Sequence, residues 1–325
     1  MTDDTLPDVS GDWFAAMRRG DWERAWRATD RIELPRRIRQ HLPGFERRPE
    51  QLRWDGTPPA GRCVLVRCEH GLGDTLQFMR FLPLLQARHV SFMVQPALLS
   101  LLRDAPGLGE VRNYWTEDPL PAHDVDLEIM ELPYALRMTL PKLPPPYPHL
   151  RGQLPRLELP DEGRLRVGLL WSASDWDRTR TVPLRVLAPL FALPEVQFYS
   201  LQQGEAAADP LLHRLAIQPL SARTSEVPMA AAAMCAMDLL ICVDGMPAHL
   251  AATLGRPTWT LLKHEADWRW MDAREDTPWY PTMRLFRQPS AGDWESVVHE
   301  VAASLRAVAR TQGRRRALSE AAPAR

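Results

Sequence analysis

The stretch Gly71-Leu72-Gly73-Asp74-Thr75-Leu76-Gln77-Phe78 (GLGDTLQF) lies between the apolar run CVLVRC at 63–68 and MRFLPLLQAR at 79–88. A short apolar run followed by two glycines, an acid and a helical pattern reads as a strand turning into a helix, the first half of a βα unit. Asp74 then has two readings. It can cap the helix by accepting backbone N–H bonds. It can also act as a carboxylate beside a ligand, with Gly71 and Gly73 leaving room for backbone approach and Gln77 one turn on. The two are compatible, because a helix end fixes the side chain. The pattern is neither GxGxxG nor GxxxxGK[ST], which argues against a nicotinamide-dependent enzyme and against a phosphate-cradling P-loop.

Working outward, the alternation continues. HVSFMVQ, VRNYW and VDLEIM read as strands, with helices over Asp74 to Arg88, PALLSLLRDA and LPYALRM. Residues 139–163, TLPKLPPPYPHLRGQLPRLELPDEG, interrupt the pattern with clustered prolines, which helix interiors and central strands exclude. A second alternation follows: LRVGLLW, VQFYSLQ, DLLICV and PTWTLL as strands, PLRVLAPLFAL, EVPMAAAAMCAM and MPAHLAATLG as helices. The expected fold class is α/β, two Rossmann-like domains facing across a cleft, since ligands of open α/β sheets lie beyond the carboxyl ends of the strands. The expected organisation is a helical segment over 1–50, a first Rossmann-like domain over 51–150, a second over 151–311 and a disordered arginine-rich tail over 312–325. Within the first segment, residues 11–33 carry helical periodicity broken at Gly20, and residues 34–61 read as a connector.

The 325-residue chain is 45% hydrophobic and 25% charged with a formal net charge of −1, a balance that gives no reason to expect nucleic acid as a partner. All basic residues except Lys142 and Lys263 are arginine. The beginning, MTDDTLPDVSGDW, lacks the basic and apolar regions of a secretory signal, and no run approaches the roughly 20 apolar residues of a membrane span. Cys63, Cys68, Cys235 and Cys242 show no zinc-ligand spacing, so free thiols and a cytoplasmic location are expected.

Two further constellations carry possible chemistry. In DWDRTRTVPL, Arg178 and Arg180 fall near the carboxyl end of the strand LRVGLLW, where guanidinium groups suit a diphosphate. The bland alternative is a solvated arginine loop. In ICVDGMPAHLAATLGRP, a strand ends at Asp244, Gly245 and Met246 open a helix, and His249 follows on it. A helix start favours phosphate, whereas an isolated histidine is most often structural. The Asp124-Val125-Asp126 triplet lacks a second acidic cluster, and no metal site is expected. The run ADWRWMDAREDTPWYPTMRLF offers Trp268, Trp270 and Trp279 either to a cleft or to packing under a loop.

Taken in order, GLGDTLQFMRFLPLL, WSASDWDRTRTVPL, SLQQG, VDGMPAHLAATLGRP and DWRWMDAREDTPWYPTMRLFRQ resemble the glycosyltransferase domains related to the bacterial heptosyltransferases, family 9, of the kind fused to tetratricopeptide repeats. The likeness covers about residues 50–300, and GDWERAWRATDRI resembles one degenerate repeat unit. The resemblance implies the GT-B fold and inverting transfer from a nucleotide sugar to a saccharide, lipid-linked or protein acceptor, with no metal and no cofactor. By position it implies Asp74 as catalytic base and Arg180 as the residue balancing the leaving diphosphate; should Asp74 be only a cap, His70 is the next candidate. Arg178, Gln203, Asp244, Gly245, Met246 and His249 would then lie beside the donor, and Gly71, Gly73 and Gln77 beside the acceptor. Three positions depart from the family pattern: the segment SASDWD is short, VDG stands where VDT is usual, and Pro228-Met229 replaces an Asp-Thr pair. All lie on the donor side. The alternative is therefore a catalytically inactive GT-B-like module that binds a protein partner, with the N-terminal helices as the contact.

Overall fold

The computed structural model describes residues 9–39, 44, 53–116, 118–160, 162–173 and 175–320. By its internal contacts the chain divides into two compact units, Met1–His149 with Asp267–Trp279, and Leu150–Ala266 with Tyr280–Arg325.

The first unit begins with α1 (Val9–Arg18) and α2 (Trp22–Arg39). They turn at Gly20, whose φ of +76° is left-handed and whose added Cβ would meet Leu140 Cδ1 at 2.7 Å. Helix α2 continues through the start of the expected connector, with Pro35 inside it; residues 40–43 and 45–52 lie outside the described residues. Then come β1 (Cys63–Arg67), α3 (Leu72–Phe78), β2 (His89–Val94), α4 (Pro96–Leu102), β3 (Glu110–Asn113), β4 (Val125–Glu128) and α5 (Leu132–Ala135). The strands form a parallel sheet in the order β3-β2-β1-β4, with Val64 of β1 opposite Val90 and Val125. Central β1 is apolar throughout its middle because helices cover both faces of such a sheet. The helix expected over Asp74 to Arg88 is shorter, passing at Met79–Leu85 into a 3₁₀ segment that contains Pro83.

The second unit contains β5 (Leu165–Leu170), β6 (Val196–Ser200), α6 (Leu211–Arg214), β7 (Gln218–Pro219), α7 (Val227–Cys235) and β8 (Leu239–Val243). It continues with α8 (Met246–Thr253), β9 (Thr258–Leu262), β10 (Met283–Arg287) and α9 (Trp294–Glu320). Its parallel sheet runs β10-β9-β8-β5-β6-β7. Val167, Leu169, Ile241 and Leu261 of the sheet share a core with Val297, Val301 and Leu305 of α9. The stretch PLRVLAPLFAL forms a 3₁₀ segment, Leu184–Ala192, with Pro189 inside it. Helix α9 runs on to Glu320, so most of the expected disordered tail is helical; its Arg, Ala and Leu residues are good helix formers. Residues 321–325 lie outside the described residues.

Two features depart from a simple reading of linear domains. The segment Asp267–Trp279, expected within a continuous second domain, packs with the first unit. Its indoles drive this: Trp268 is 8% exposed and Trp270 and Trp279 each 1%. The N-terminal helices are likewise part of the first unit. Trp22 lies 5.2 Å from Trp279, Trp13 lies 5.2 Å from Trp268, and Trp26 Nε1 donates to Met138 O at 2.7 Å. Among the described residues no helix is long and apolar enough to cross a membrane.

This packing assigns different weights to residues of one helix. Trp22, 1% exposed, should cost about 3–5 kcal/mol when changed to Ala. Ile38→Ala, at a position 75% exposed, should stay within about 0.5 kcal/mol of wild type. Chemical denaturation of the two variants checks the ranking.

Candidate functional site

In each unit the parallel strands deliver their following loops to the carboxyl edge of the sheet, where polar side chains collect. In the first unit β1 leads through Cys68–His70 to Gly71, the N-cap of α3. Gly71 is extended (φ −70°, ψ 157°), so backbone strain does not demand a glycine there; an added Cβ would lie 3.2 Å from Asp74 Oδ2 and crowd the carboxylate. Gly73 lies in the first turn of α3. Asp74 is the third helical residue rather than the cap. Its Oδ2 accepts the Gly71 N–H at 2.9 Å and its Oδ1 accepts Arg269 Nη2 at 2.6 Å. Gln77, expected beside an acceptor, is fully buried, and its Oε1 accepts Arg269 Nε at 3.0 Å.

His70 stands half exposed beside this carboxylate, with Nδ1 3.0 Å from Oε1 of buried Glu128. The hydrogen bond to Glu128 raises the imidazole above its ordinary 6.5 and outweighs burial, which opposes the charge. Gln95 ties the loop down, donating to His70 O at 2.9 Å and accepting the Thr75 hydroxyl at 2.9 Å. The acidic pair of the DVD triplet is engaged elsewhere: Asp124 accepts the Cys63 N–H at 2.9 Å, and Asp126 pairs with Arg67 at 2.7 Å.

In the second unit the loop after β5 and the end of β8 meet at Arg180. Its Nη1 donates to Asp244 O at 3.2 Å, and its guanidinium lies 5.2 Å from the ring of exposed Trp176. Asp177 on the same loop accepts Lys263 Nζ at 2.8 Å, just past the end of β9. Burial works against ionisation of Asp177, but hydrogen bonds from Lys263 and Thr179 hold its carboxyl down at about 2. Arg178 is exposed. Gly245, fully extended, caps α8, and Met246 opens it. Pro247 contributes no N–H, and the Ala248 and His249 N–H groups turn back to Gly245 O, so the N–H groups of Gly245 and Met246 are the ones at this helix start without an intrahelical acceptor. His249 is 5% exposed, with Nδ1 3.0 Å from Tyr280 Oη, which makes it a buried support for α8. Gln203 Nε2 is held by Thr224 Oγ1 at 2.9 Å and Ser221 O at 3.2 Å. Its neighbour Gln202 accepts the N–H groups of Trp171 and Ser172, bracing the start of the arginine loop. A cavity of about 230 Å³ adjoins that loop, lined by Trp171, Ser172, Thr181, Arg185, Asp209 and Leu211 among others.

Comparison with solved structures gives the architecture its place. A family 9 glycosyl transferase from Veillonella parvula superposes with a TM-score of 0.51 at 13% identity, covering 77% of this chain and 90% of the other. The fold is that of the family 9 GT-B glycosyltransferases. Two E. coli proteins of the same fold, ADP-heptose lps heptosyltransferase II and the heptosyltransferase WaaC with ADP, each give a TM-score of 0.50 at 13% identity. They cover 77% and 73% of this chain, and 99% of their own. By sequence the chain is 27% identical to Protein FlbA of Caulobacter vibrioides, over 78% of this chain and 48% of that protein, so it spans about half of that relative. No family model matches.

Within the family 9 fold, the motif residues cluster unit by unit: Asp74, Gly71 and His70 in the first, Arg180, Asp244, Gly245 and Met246 in the second. Sequence reading passed over Arg269, Glu128, Gln202 and Lys263. Lys263 carried a signal, as one of two lysines and the residue directly after a strand. Arg269 carried none beyond its place between two tryptophans.

The His70–Glu128 contact sets a pH dependence. Because the folded value is raised, the contact stabilises fully below about 6.5 and its contribution is lost as pH rises through the folded value. Glu128→Gln should bring the His70 titration back toward 6.5, followed by NMR of the imidazole, and should flatten stability over that window.

Proposed function

We propose that this chain is a cytoplasmic, metal-independent, inverting glycosyltransferase that moves a sugar from a nucleotide-sugar donor to a saccharide, lipid-linked or protein hydroxyl. The observation that carries the reading is Arg180 bound to Asp244 O at 3.2 Å, which joins a fixed guanidinium to the start of α8. Lys263 adds a second cation 2.8 Å from Asp177 on the same loop. A diphosphate leaving group develops negative charge as its bond to the anomeric carbon breaks. Cations and helix N–H donors already in place stabilise that charge without reorganisation.

In the proposed step the acceptor oxygen attacks the anomeric carbon from the face opposite the diphosphate, and its proton passes to the Asp74 carboxylate. The nucleoside diphosphate departs with the bonding electrons, and the configuration inverts. Gly71 and Arg269 hold the two Asp74 oxygens, and each oxygen keeps accepting capacity for a proton. A second reading, an inactive module that binds protein, draws on the N-terminal helices, where Phe14, Ile32, Leu34 and Ile38 are 49%, 46%, 51% and 75% exposed.

A thermal-shift and calorimetry panel of ADP-, GDP-, UDP- and CMP-sugars with their free nucleotides tests the reading, adenine nucleotides first because the solved neighbours are named with ADP and ADP-heptose. Absence of stabilisation by any nucleotide would favour the protein-binding module. A charge-assisted contact is worth roughly 1.5–3 kcal/mol, so Arg180→Ala should weaken nucleotide binding by about one to two decades. Asp74→Asn should leave that affinity in place and cut turnover by at least about a hundredfold. Turnover should survive a chelator; loss on chelation with recovery on adding manganese would overturn the metal-independent step.

A further inference from the structure

The Asp74 carboxylate has a partner that comes from a part of the sequence almost two hundred residues away. Arg269 donates from Nη2 to Asp74 Oδ1 at 2.6 Å, from Nε to Gln77 Oε1 at 3.0 Å and from Nη1 to Asp267 Oδ1 at 2.8 Å. Its guanidinium lies 4.6 Å from the Trp268 ring centroid and 5.7 Å from that of Phe78. The side chain is only 10% exposed, against 21% for Asp74 and 37% for Asp267. Its backbone is fixed as well: Trp279 Nε1 donates to Arg269 O at 3.0 Å, and Arg269 N–H donates to Asp267 Oδ1 at 3.0 Å.

We infer that Arg269 is the positioning residue for Asp74, with Asp267 as its counter-charge, an inference that rests on the transferase reading. A carboxylate on a short helix has rotational freedom about χ1 and χ2. A guanidinium fixed by three oxygen acceptors, the Met130 sulfur and two rings removes that freedom for Oδ1, while the Gly71 N–H restrains Oδ2. A lone arginine would oppose proton uptake, since protonating Asp74 would leave the guanidinium without an anionic partner. Asp267 changes that balance. With Asp74 ionised, the two carboxylates and one guanidinium carry a formal charge of −1. After Asp74 takes the acceptor proton the group is neutral, and Arg269 keeps its bond to Asp267. Orientation is thereby obtained without stranding a buried cation during the step. Gln77 supports the arrangement from below: it gives Arg269 a neutral acceptor that orients Nε and adds no charge.

The test uses the full chain and whichever nucleotide sugar binds in the panel, with water as acceptor and nucleoside diphosphate release as the readout. Arg269→Gln should lower kcat about 10²-fold or more while donor KM changes less than about threefold. Arg269→Lys, which keeps the charge, should recover part of the loss. In an Asp74→Asn background, Arg269→Gln should cost nothing further, because a residue that acts through Asp74 has nothing left to position. Additive losses, or an unchanged kcat in Arg269→Gln, would overturn the inference while leaving the transferase reading standing. A second arm is independent of turnover: carbodiimide labelling of carboxylates read by mass spectrometry. Asp74 should label several-fold faster in Arg269→Gln than in wild type. Equal rates overturn the inference even if no donor is turned over, and absence of turnover with protected Asp74 counts against the transferase reading alone. Melting curves for each variant separate these outcomes from unfolding.

Discussion

Trp279 is enclosed on every side. Trp22 of α2 lies 5.2 Å away, Phe78 of α3 5.6 Å and Trp268 6.2 Å between ring centroids, and Arg80 donates to the Trp279 carbonyl at 2.7 Å. Burying an indole of this kind is worth several kcal/mol, since aromatic side chains cover 150–250 Å² each at about 25 cal/mol per Å². That burial draws a segment from late in the sequence onto the first sheet's unit. The N-terminal hairpin, the end of α3 and the arginine that meets Asp74 all take their positions from it.

The second unit is organised differently. Its polar edge is assembled by side-chain hydrogen bonds between loops rather than by an aromatic core. Gln202 braces the β5 loop, Arg180 reaches the carbonyl of Asp244, and Asp177 is held by Lys263 and Thr179. The Asp177 carboxylate is thereby neutralised by two cations, Lys263 and Arg180. The guanidinium of Arg180 donates through Nη1 to a backbone carbonyl and lies, through Nε, 3.8 Å from the Asp177 carboxylate that Lys263 also meets.

Much of this was legible in the sequence. The two βα alternations and the proline-rich interval between them lie where composition and periodicity put them, because parallel strands buried on both faces need continuous apolar runs such as VLV and LLICV. Asp74 and Arg180 could be singled out because each lies in the segment between a strand's carboxyl end and the next element of the alternation. Helix lengths were less legible: Pro83 and Pro189 interrupt runs with helical periodicity, and those runs are 3₁₀ segments in the structure. The strands Gln218–Pro219 and Met283–Arg287 are short and lack alternation, and their strand state comes from pairing with β6 and β9. Arg269 was out of reach for a deeper reason. Its role is a contact across the sequence, and nothing local to WRW records which carboxylate it will meet.

The return of Asp267–Trp279 to the first unit also has a temporal meaning. A ribosome makes this chain from the amino end, so the first four strands emerge long before the indoles that complete their unit. At about 5–20 residues per second, that unit waits on the order of ten seconds with the sites for Trp268 and Trp279 unfilled. During that interval the faces of Trp22 and Phe78 that meet Trp279 are uncovered, although Trp22 has Trp26 and Phe78 has Phe81 beside it. The order of synthesis and the order of packing are therefore opposed: residues made early are among the last to become secure.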